Sequence, residues 1–145
     1  MNSELKVHVT LAEGAKLPHQ GSEEAAGYDL CALEEAIVAP GQTSLVRTGV
    51  SVALPRGYEM QIRPRSGLSL KTSIRLSNSP GIVDSDYRGE VGIIVDNIGV
   101  EHITIPRGMR LAQAVFNKVE KAAFVVVERL PETERGAGGF GSTGS

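Results

Sequence analysis

The chain has few of the residues on which many protein functions depend. Its 145 residues include no Trp, 4% aromatics and a single cysteine, Cys31. One cysteine excludes an internal disulfide, and no apolar run approaches the roughly 18 residues of a membrane span. The three histidines are isolated and lack zinc-ligand spacing, and the N-terminal stretch has no signal-peptide pattern. We therefore expect one cytoplasmic domain.

Charge is nearly balanced overall but unevenly distributed along the chain. The net charge of −2 gives no global indication of a nucleic acid or anionic membrane as partner. Segment 56–75 carries five basic residues and one acid, whereas segment 84–96 carries four acids and one base. This order suits a polyphosphate bound with a metal ion. Two solvated faces that balance each other also explain it, and charge alone favours that interpretation.

Short segments rich in Val and Ile recur between Gly, Pro, Asn and Asp residues, which predicts an all-β sandwich or barrel. The predicted strands are 6–11, 43–54, 58–63, 73–78, 90–97, 102–105 and 123–130. Segment 110–119 would also suit a helix, but Gly108 before it and β-branched residues after it favour a strand. We expect at most one short helical turn, near 66–72.

Some predicted strands are apolar on both faces, such as VGIIV (91–95) and FVVV (124–127). A β domain of this size has a limited interior, so the extra apolar faces suggest burial between the subunits of a homo-oligomer. A thick core within a monomer explains the pattern equally well.

Two internal stretches could carry chemistry. NSPGIVDSDYRGEVGI (78–93) predicts a β-hairpin whose loop presents Asp84, Asp86 and Tyr87. Such loops are mostly plain turns, but a carboxylate here could also activate a water beside a ring. In PRSGLS (64–69), an Arg, a hydroxyl and a Gly could cradle a phosphate or form an ordinary turn.

The C-terminal stretch ERGAGGFGSTGS (134–145) is the one low-complexity segment. Most Gly/Ser-rich termini are flexible and functionally silent. Phe140 does not fit a solvated linker, however, and Arg135 with the Gly-rich backbone and hydroxyls offers many donors to a phosphate. This stretch is therefore a candidate phosphate loop with an aromatic plug.

Five stretches, in this order, resemble the five motifs of the trimeric dUTP pyrophosphatase (dUTPase) family. They are AGYDLCA (26–32), PRSGLS (64–69), GIVDSDYRGEVG (81–92), GMRLAQAVF (108–116) and RGAGGFGSTG (135–144). The resemblance implies a distorted, jelly-roll-like β-barrel over 1–133 and a flexible Gly-rich lid over 134–145. It also implies a homotrimer with interfacial active sites and hydrolysis of dUTP to dUMP and diphosphate, which limits uracil in DNA and supplies dUMP for dTTP synthesis.

The resemblance also implies roles for individual residues. Asp84 would be the general base that activates a water for in-line attack on the α-phosphorus. Mg²⁺ would be held by the substrate phosphates, with Asp29 touching it only through water and no direct protein ligand. The implied phosphate-binding residues are Arg65, Ser66, Gly67 and Gln113, and from the lid Arg135, Gly141, Ser142 and Thr143.

The remaining implied roles concern the base and the sugar. Backbone groups of Gly81, Ile82, Val83 and Gly92 would pair with the uracil edge, and Asn78 would hold a water or the base. Phe140 would lie across the uracil ring, while Tyr87 would pack under the sugar and exclude a ribose 2′-hydroxyl. Two other readings of the sequence are a dCTP deaminase of the same fold and a jelly-roll interaction module or nucleotide sensor without catalysis.

Overall fold

The computed structural model describes residues 3–144, and its regular structure is almost entirely β. Within that range the strands are β1 (His8–Leu11), β2 (Tyr28–Cys31), β3 (Ala36–Val38), β4 (Thr43–Ala53), β5 (Tyr58–Arg63), β6 (Ile74–Leu76), β7 (Gly81–Val83), β8 (Glu90–Asn97), β9 (Ile103–Ile105) and β10 (Arg110–Lys118). The helix α1 (Ser66–Lys71) follows β5. The ambiguous segment at 110–119 is thus confirmed as a strand, and the helical turn lies where the sequence predicts it.

Two four-stranded antiparallel sheets form the body of the domain. Sheet A has the strand order β1-β4-β8-β6, sheet B has β2-β10-β5-β7, and β3 pairs with β9 in a small third sheet. Non-consecutive neighbours in both large sheets mean that the chain crosses repeatedly between them. Such crossing confirms the predicted all-β, jelly-roll-like architecture.

The core lies between the sheets and follows the period-two alternation of the strands. In β8, Val91, Ile93, Val95 and Asn97 are buried, while the residues between them are partly exposed. The same core includes Met60 from β5 and Leu111 from β10. Burial of these large apolar side chains from both sheets provides the main favourable free energy of folding.

The short helix α1 continues directly from β5 and is fixed by one buried side chain. Leu68 packs into the core, and Thr72 ends the helix by donating from its hydroxyl to the Leu68 carbonyl at 2.8 Å. Arg65, immediately before the helix, keeps an extended backbone. The polar residues 65–67 are therefore presented at the surface on a rigid strand-to-helix connection.

The strand predicted at 123–130 does not form, and that prediction is wrong for the chain by itself. The last strand ends at Lys118, and residues 119–144 lie outside the two sheets. The apolar side chains of this segment are exposed, with Phe124 at 95% and Val126 at 97%. Apolar and β-branched composition predicts a strand only where a neighbouring edge is present to pair with it.

The hairpin predicted at 78–93 does not form, because its two strands do not pair with each other. β7 pairs with β5 in sheet B, whereas β8 pairs with β4 and β6 in sheet A. The loop from Asp84 to Gly89 therefore bridges the two sheets. This separation opens a gap between the strands, which a hydrogen-bonded hairpin would close.

Within residues 3–144, the only helix spans six residues, far fewer than a helix needs to cross a bilayer.

Candidate active site

A slot opens where β7 and β8 diverge into separate sheets. It encloses about 200 Å³ and is lined by Ile62, Asn78, Gly81, Ile82, Val83, Asp84, Tyr87, Glu90, Val91 and Gly92. The structure thus brings together seven residues of segment 78–92 that the sequence assigns to base, sugar and catalysis. Its walls combine apolar side chains with strand backbone, which suits a flat, partly polar ring.

Two glycines keep the slot open. A Cβ on Gly92 would lie 2.5 Å from Leu45 Cδ1, and one on Gly81 would lie 3.3 Å from Asn78 Nδ2. Because Gly81 and Gly92 line the slot without side chains, the backbone of both strands is accessible to a ligand there.

Tyr87 is held against the loop that carries it. Its hydroxyl donates to the Glu90 carbonyl at 3.0 Å, and its backbone N–H donates to the Asp84 carbonyl at 3.1 Å. The ring lies so close over Gly89 that a Cβ there would overlap the Tyr87 hydroxyl and Cζ. The ring position is therefore set by the backbone of residues 84–90.

Asp84 is exposed at the mouth of the slot, directly after β7. Among residues 3–144 its carboxylate forms no ion pair, in contrast with Asp29 and Glu90. An exposed carboxylate beside a ligand cavity can accept a proton from a water held between the two.

A second, basic cavity lies at the other end of sheet B. It encloses about 250 Å³ and is lined by Gly21, Ala25, Gly27, Asp29, Arg65, Ser66, Gly67, Arg110 and Gln113. The largely buried Asp29 carboxylate lies 3.2 Å from Arg65 Nε, 3.7 Å from Arg110 Nη1 and 4.0 Å from His19 Nε2. One carboxylate thus orients two guanidinium groups, and their remaining N–H donors can bind an anion.

The register of sheet B places Gln113 in this cavity. Gln113 lies opposite Asp29 on one side and Arg63 on the other, and its amide donates to the Pro64 carbonyl at 2.9 Å. A Cβ on Gly27 would overlap the Gln113 side-chain amide. The glycine of the first motif therefore leaves room for the glutamine of the fourth, which in turn fixes the loop that carries Arg65.

Gly27→Ala would displace the Gln113 amide and leave the Pro64 carbonyl without its partner. We therefore expect this variant to lower kcat/KM for the substrate of this site about tenfold. Ser22→Ala is the control, because Ser22 is exposed and adjacent to the same cavity without lining it. Steady-state kinetics of both variants test this arrangement. Equal kcat/KM values would show that the packing of Gly27 against Gln113 has no effect on the site.

The slot and the basic cavity, hereafter the cradle, lie at opposite edges of sheet B. Asp29 belongs to β2 at one edge, and the slot residues Gly81–Val83 belong to β7 at the other. Three strand spacings separate the two edges, or about 14 Å. The cavities share no lining residue. Within one chain, the structure therefore brings together the residues of each cavity but does not join the two into one site.

The residues predicted to form the lid line neither cavity in the described chain. The side chain of Phe140 is fully exposed, with a positive φ of 53°, and Gly141 follows at φ 78°. Arg135 Nε donates to the Gly138 carbonyl at 2.8 Å, and Ser142 N–H to the Gly139 carbonyl at 3.0 Å. These contacts are local turns, and Thr143 lies in a further one, where the Gly144 N–H donates to the Gly141 carbonyl at 2.9 Å.

The sequence analysis assigned no role to seven residues of the two cavities. Ile62, Glu90 and Val91 line the slot, and Gly21, Ala25, Gly27 and Arg110 line the cradle. No sequence signal reveals Arg110, because residues three apart in a regular strand face opposite sides of the sheet. The irregular register of β10 between Arg110 and Ala112 accompanies its approach to Asp29.

The donor set of the cradle bears on how a metal could be held. Among residues 3–144, no group of three or more His, Cys, Asp or Glu side chains could form a metal site. Asp29 is the single carboxylate in the cradle lining, and two arginines face it. This arrangement fits a hard cation such as Mg²⁺ only where the ligand's own oxygens and waters supply most of its coordination.

A ring-sized slot with an exposed carboxylate, at the opposite edge of one sheet from an arginine-lined cradle, suits a β-barrel protein that binds a nucleotide. Comparison with known proteins narrows this class. The dUTPase family profile matches residues 13–144, and the chain belongs to that family.

Individual relatives agree with that membership. The chain is 51% identical over 140 residues to the deoxyuridine 5′-triphosphate nucleotidohydrolase of Wolinella succinogenes, covering 97% of this chain and 91% of the relative. A variant of the dUTPase from Staphylococcus bacteriophage 80alpha, solved with dUpNHpp, superposes with a TM-score of 0.90 at 26% identity, covering 97% and 99% of the two chains. A variant of the dUTPase from phage phi11 of S. aureus, whose structure shows a structural Mg(II) ion, gives 0.81 at 25% identity, covering 88% and 99%.

Proposed function

We propose that this protein hydrolyses dUTP to dUMP and diphosphate. The observation that carries the proposal is the location of an exposed carboxylate, Asp84, at the mouth of a ring-sized slot in a chain of the dUTPase family. The relative from Wolinella succinogenes bears the name of this activity, which supports the same substrate for the present chain.

In the proposed reaction, Asp84 accepts a proton from a water as the water oxygen attacks the α-phosphorus. The bond between the α-phosphorus and the bridging oxygen breaks, and diphosphate leaves with the electron pair. The oxygen from water stays on dUMP. Little covalent chemistry is required of the protein, so catalysis depends on positioning and charge stabilisation.

The cradle is proposed to hold the phosphates. Arg65 supplies charged donors, Ser66 a hydroxyl and Gly67 an accessible backbone, while Gln113 keeps its contact with Pro64 and fixes their loop. Asp29 orients Arg65 and Arg110. Because both guanidinium groups are already fixed before the nucleotide arrives, less conformational freedom is lost on binding.

Mg²⁺ is the proposed cofactor, and the cradle residues would hold it through the phosphates and through water at Asp29. Once bound, the ion neutralises charge that develops on the phosphate oxygens. Asp29 lies 13% exposed beside two arginines, so its carboxylate remains accessible to a water without being free to act as a main ligand.

The slot is proposed to select uracil and deoxyribose. Backbone groups of Gly81, Ile82, Val83 and Gly92 line it and can pair with the edge of the base, with Asn78 at the rim. In this proposed fit, the backbone that lines the slot leaves no space for a thymine methyl. A cytosine amino group would oppose a backbone donor and leave buried groups unpaired. Tyr87, held by its bond to Glu90, would lie under the sugar.

We further propose that the protein is a homotrimer whose sites are completed between subunits. The slot and the cradle lie at opposite edges of one sheet, and the exposed apolar segment 123–130 has no partner strand within the described chain. The slot of one protomer would then face the cradle of a second. The C-terminal segment of another protomer would close the site with Phe140 over the base and with Arg135, Gly141, Ser142 and Thr143 around the γ-phosphate.

Parallel assays of four nucleotides with Mg²⁺ test the proposed function. We expect diphosphate release from dUTP at a kcat/KM more than about 10²-fold above the values for dCTP, dTTP and UTP, because each competitor leaves a group clashing or unpaired. Ammonia release from dCTP would indicate a deaminase. No turnover of any of the four would overturn the proposal in favour of a binding protein.

A further inference from the structure

Glu90 connects the slot to a part of sheet A that the proposed chemistry does not use. Its backbone carbonyl accepts the hydroxyl of Tyr87 at 3.0 Å, and its side chain lines the slot. Its carboxylate, by contrast, points to the neighbouring strand β4. One residue therefore holds the tyrosine through its main chain and is itself held through its side chain.

Arg47 of β4 binds the Glu90 carboxylate through two parallel hydrogen bonds, hereafter called the fork. Arg47 Nη2 donates to Glu90 Oε1 at 2.9 Å, and Arg47 Nε donates to Glu90 Oε2 at 3.0 Å. This bond lowers the pKa of the Glu90 carboxyl and raises the pKa of Arg47, so both groups are charged over the physiological range. A bidentate pair fixes orientation as well as distance, because the planar fork matches the planar carboxylate.

Arg47 lies on a part of β4 whose backbone is fixed from the other side. The pairing of β4 with β8 is irregular between Arg47 and Ser51, and Gly49 in that interval has a positive φ of 72°. The Arg47 carbonyl accepts the N–H of Leu33 at 2.8 Å, and the Gly49 carbonyl accepts that of Ala12 at 2.8 Å. The fork therefore extends from an anchored bulge to the first residue of β8.

We infer that Arg47, through its fork on Glu90, is a positioning residue that sets the place of Tyr87 and with it the discrimination between deoxyribose and ribose. The inference rests on the proposed function. Arg47 lies outside the lining of both cavities, and among residues 3–144 its guanidinium group hydrogen-bonds only to Glu90, so an effect of this side chain on sugar selection would pass through Glu90.

Loss of the contact between Arg47 and Glu90 should change the selectivity for dUTP over UTP more than the rate of dUTP hydrolysis. Asp84 is joined to Tyr87 by a backbone turn of its own, whereas the hydroxyl of Tyr87 depends on Glu90. Loss of the fork would let Glu90 and the start of β8 move. The ring of Tyr87 could then shift and leave space for the 2′-hydroxyl of ribose. Errors in position of about 1 Å are sufficient to change rates about a hundredfold, so a partial shift is enough for a measurable effect.

The test compares kcat/KM for dUTP and UTP in the full-length protein and in Arg47→Met, which keeps the length of the stem but removes the fork. We expect the dUTP-to-UTP ratio to fall about tenfold, mainly through a gain with UTP, and kcat for dUTP to fall less than about threefold. Glu90→Gln should lower the ratio in the same direction. Arg56→Met, at an exposed arginine outside both cavities, is the matched control.

A double-mutant cycle separates positioning from a loss of stability. In a Tyr87→Phe background, Arg47→Met should change the ratio by less than about twofold, because the hydroxyl that depends on the fork is already absent. An unchanged ratio in Arg47→Met, in a protein that hydrolyses dUTP and rejects UTP, would overturn the inference and leave the proposed function standing. Failure of the wild-type protein to hydrolyse dUTP would instead overturn the proposed function.

Discussion

Replacement of Asp84 by Asn is expected to lower kcat for dUTP by about 10²- to 10⁴-fold, the range that a positioned general base contributes. Asn has nearly the same shape but cannot accept the proton of the attacking water. Since Asp84 is exposed and forms no ion pair among the described residues, the fold does not depend on its charge. Diphosphate release measures the rate, and calorimetry with a non-hydrolysable imido analogue should show affinity within about threefold of wild type.

Asp86→Asn is the matched control for this variant. Asp86 lies two residues further along the same exposed loop but does not line the slot. Its replacement removes the same charge from the same region and should leave kcat within about twofold. Turnover by Asp84→Asn at the wild-type rate, or an equal loss in both variants, would mean that Asp84 is not the base.

Deletion of residues 134–145 is expected to lower kcat/KM for dUTP about 10²-fold or more while preserving the barrel. The loss follows from removal of Arg135, which would stabilise charge on the terminal phosphate, and of Phe140, which would shield the site from water. The barrel should persist because its last strand ends at Lys118 and residues 134–144 form no strand of either sheet. Steady-state kinetics and far-UV circular dichroism provide the two readouts.

A control of equal length distinguishes the chemistry of this segment from its bulk. Replacement of 134–145 by twelve Gly and Ser residues keeps the chain length and many backbone donors but removes Arg135 and Phe140. It should lose nearly as much activity as the deletion. Wild-type kinetics in the deleted protein would rule out any role for this segment as a lid.

Local patterns predicted most of the barrel because strand formation here agrees with the composition of each segment. The long strands β4, β8 and β10 match the predicted segments closely, and α1 lies within the predicted turn. The short strands β2 and β3 were not predicted as strands, and β7 was expected within a hairpin but pairs with β5 instead. Three or four residues give too short a period-two pattern to recognise, and these strands form because the sheets provide edges for them.

Contacts between distant segments account for what the sequence could not predict. The separation of β7 and β8 into different sheets creates the slot, and no turn signal in 78–93 specifies it. Similarly, segment 123–130 has the composition of a strand but lies exposed without a partner in the chain. A sequence gives the tendency to pair, whereas the partner depends on topology or on another subunit.

Some residues of the site could be predicted from the sequence, and others could not. Ser66, Gly67 and Tyr87 could be identified from short motifs, because each motif lies on one connection between elements. Arg110 and Glu90 could not, since their place depends on the registers of β10 with β2 and of β8 with β4. Their partners, Asp29 and Arg47, lie 81 and 43 residues away in the chain.

Subunit mixing tests the central claim that a catalytic carboxylate and a closing C-terminal segment from different protomers form one site. Asp84→Asn chains and chains lacking 134–145 are each expected to be nearly inactive alone. Random trimers of an equal mixture should recover about a quarter of wild-type activity, because about one site in four then pairs an intact Asp84 with an intact segment from its neighbour. Recovery near that level, after co-refolding or co-expression, is the predicted result. No recovery in mixed trimers would contradict the account, since it would place both elements of each site in the same chain.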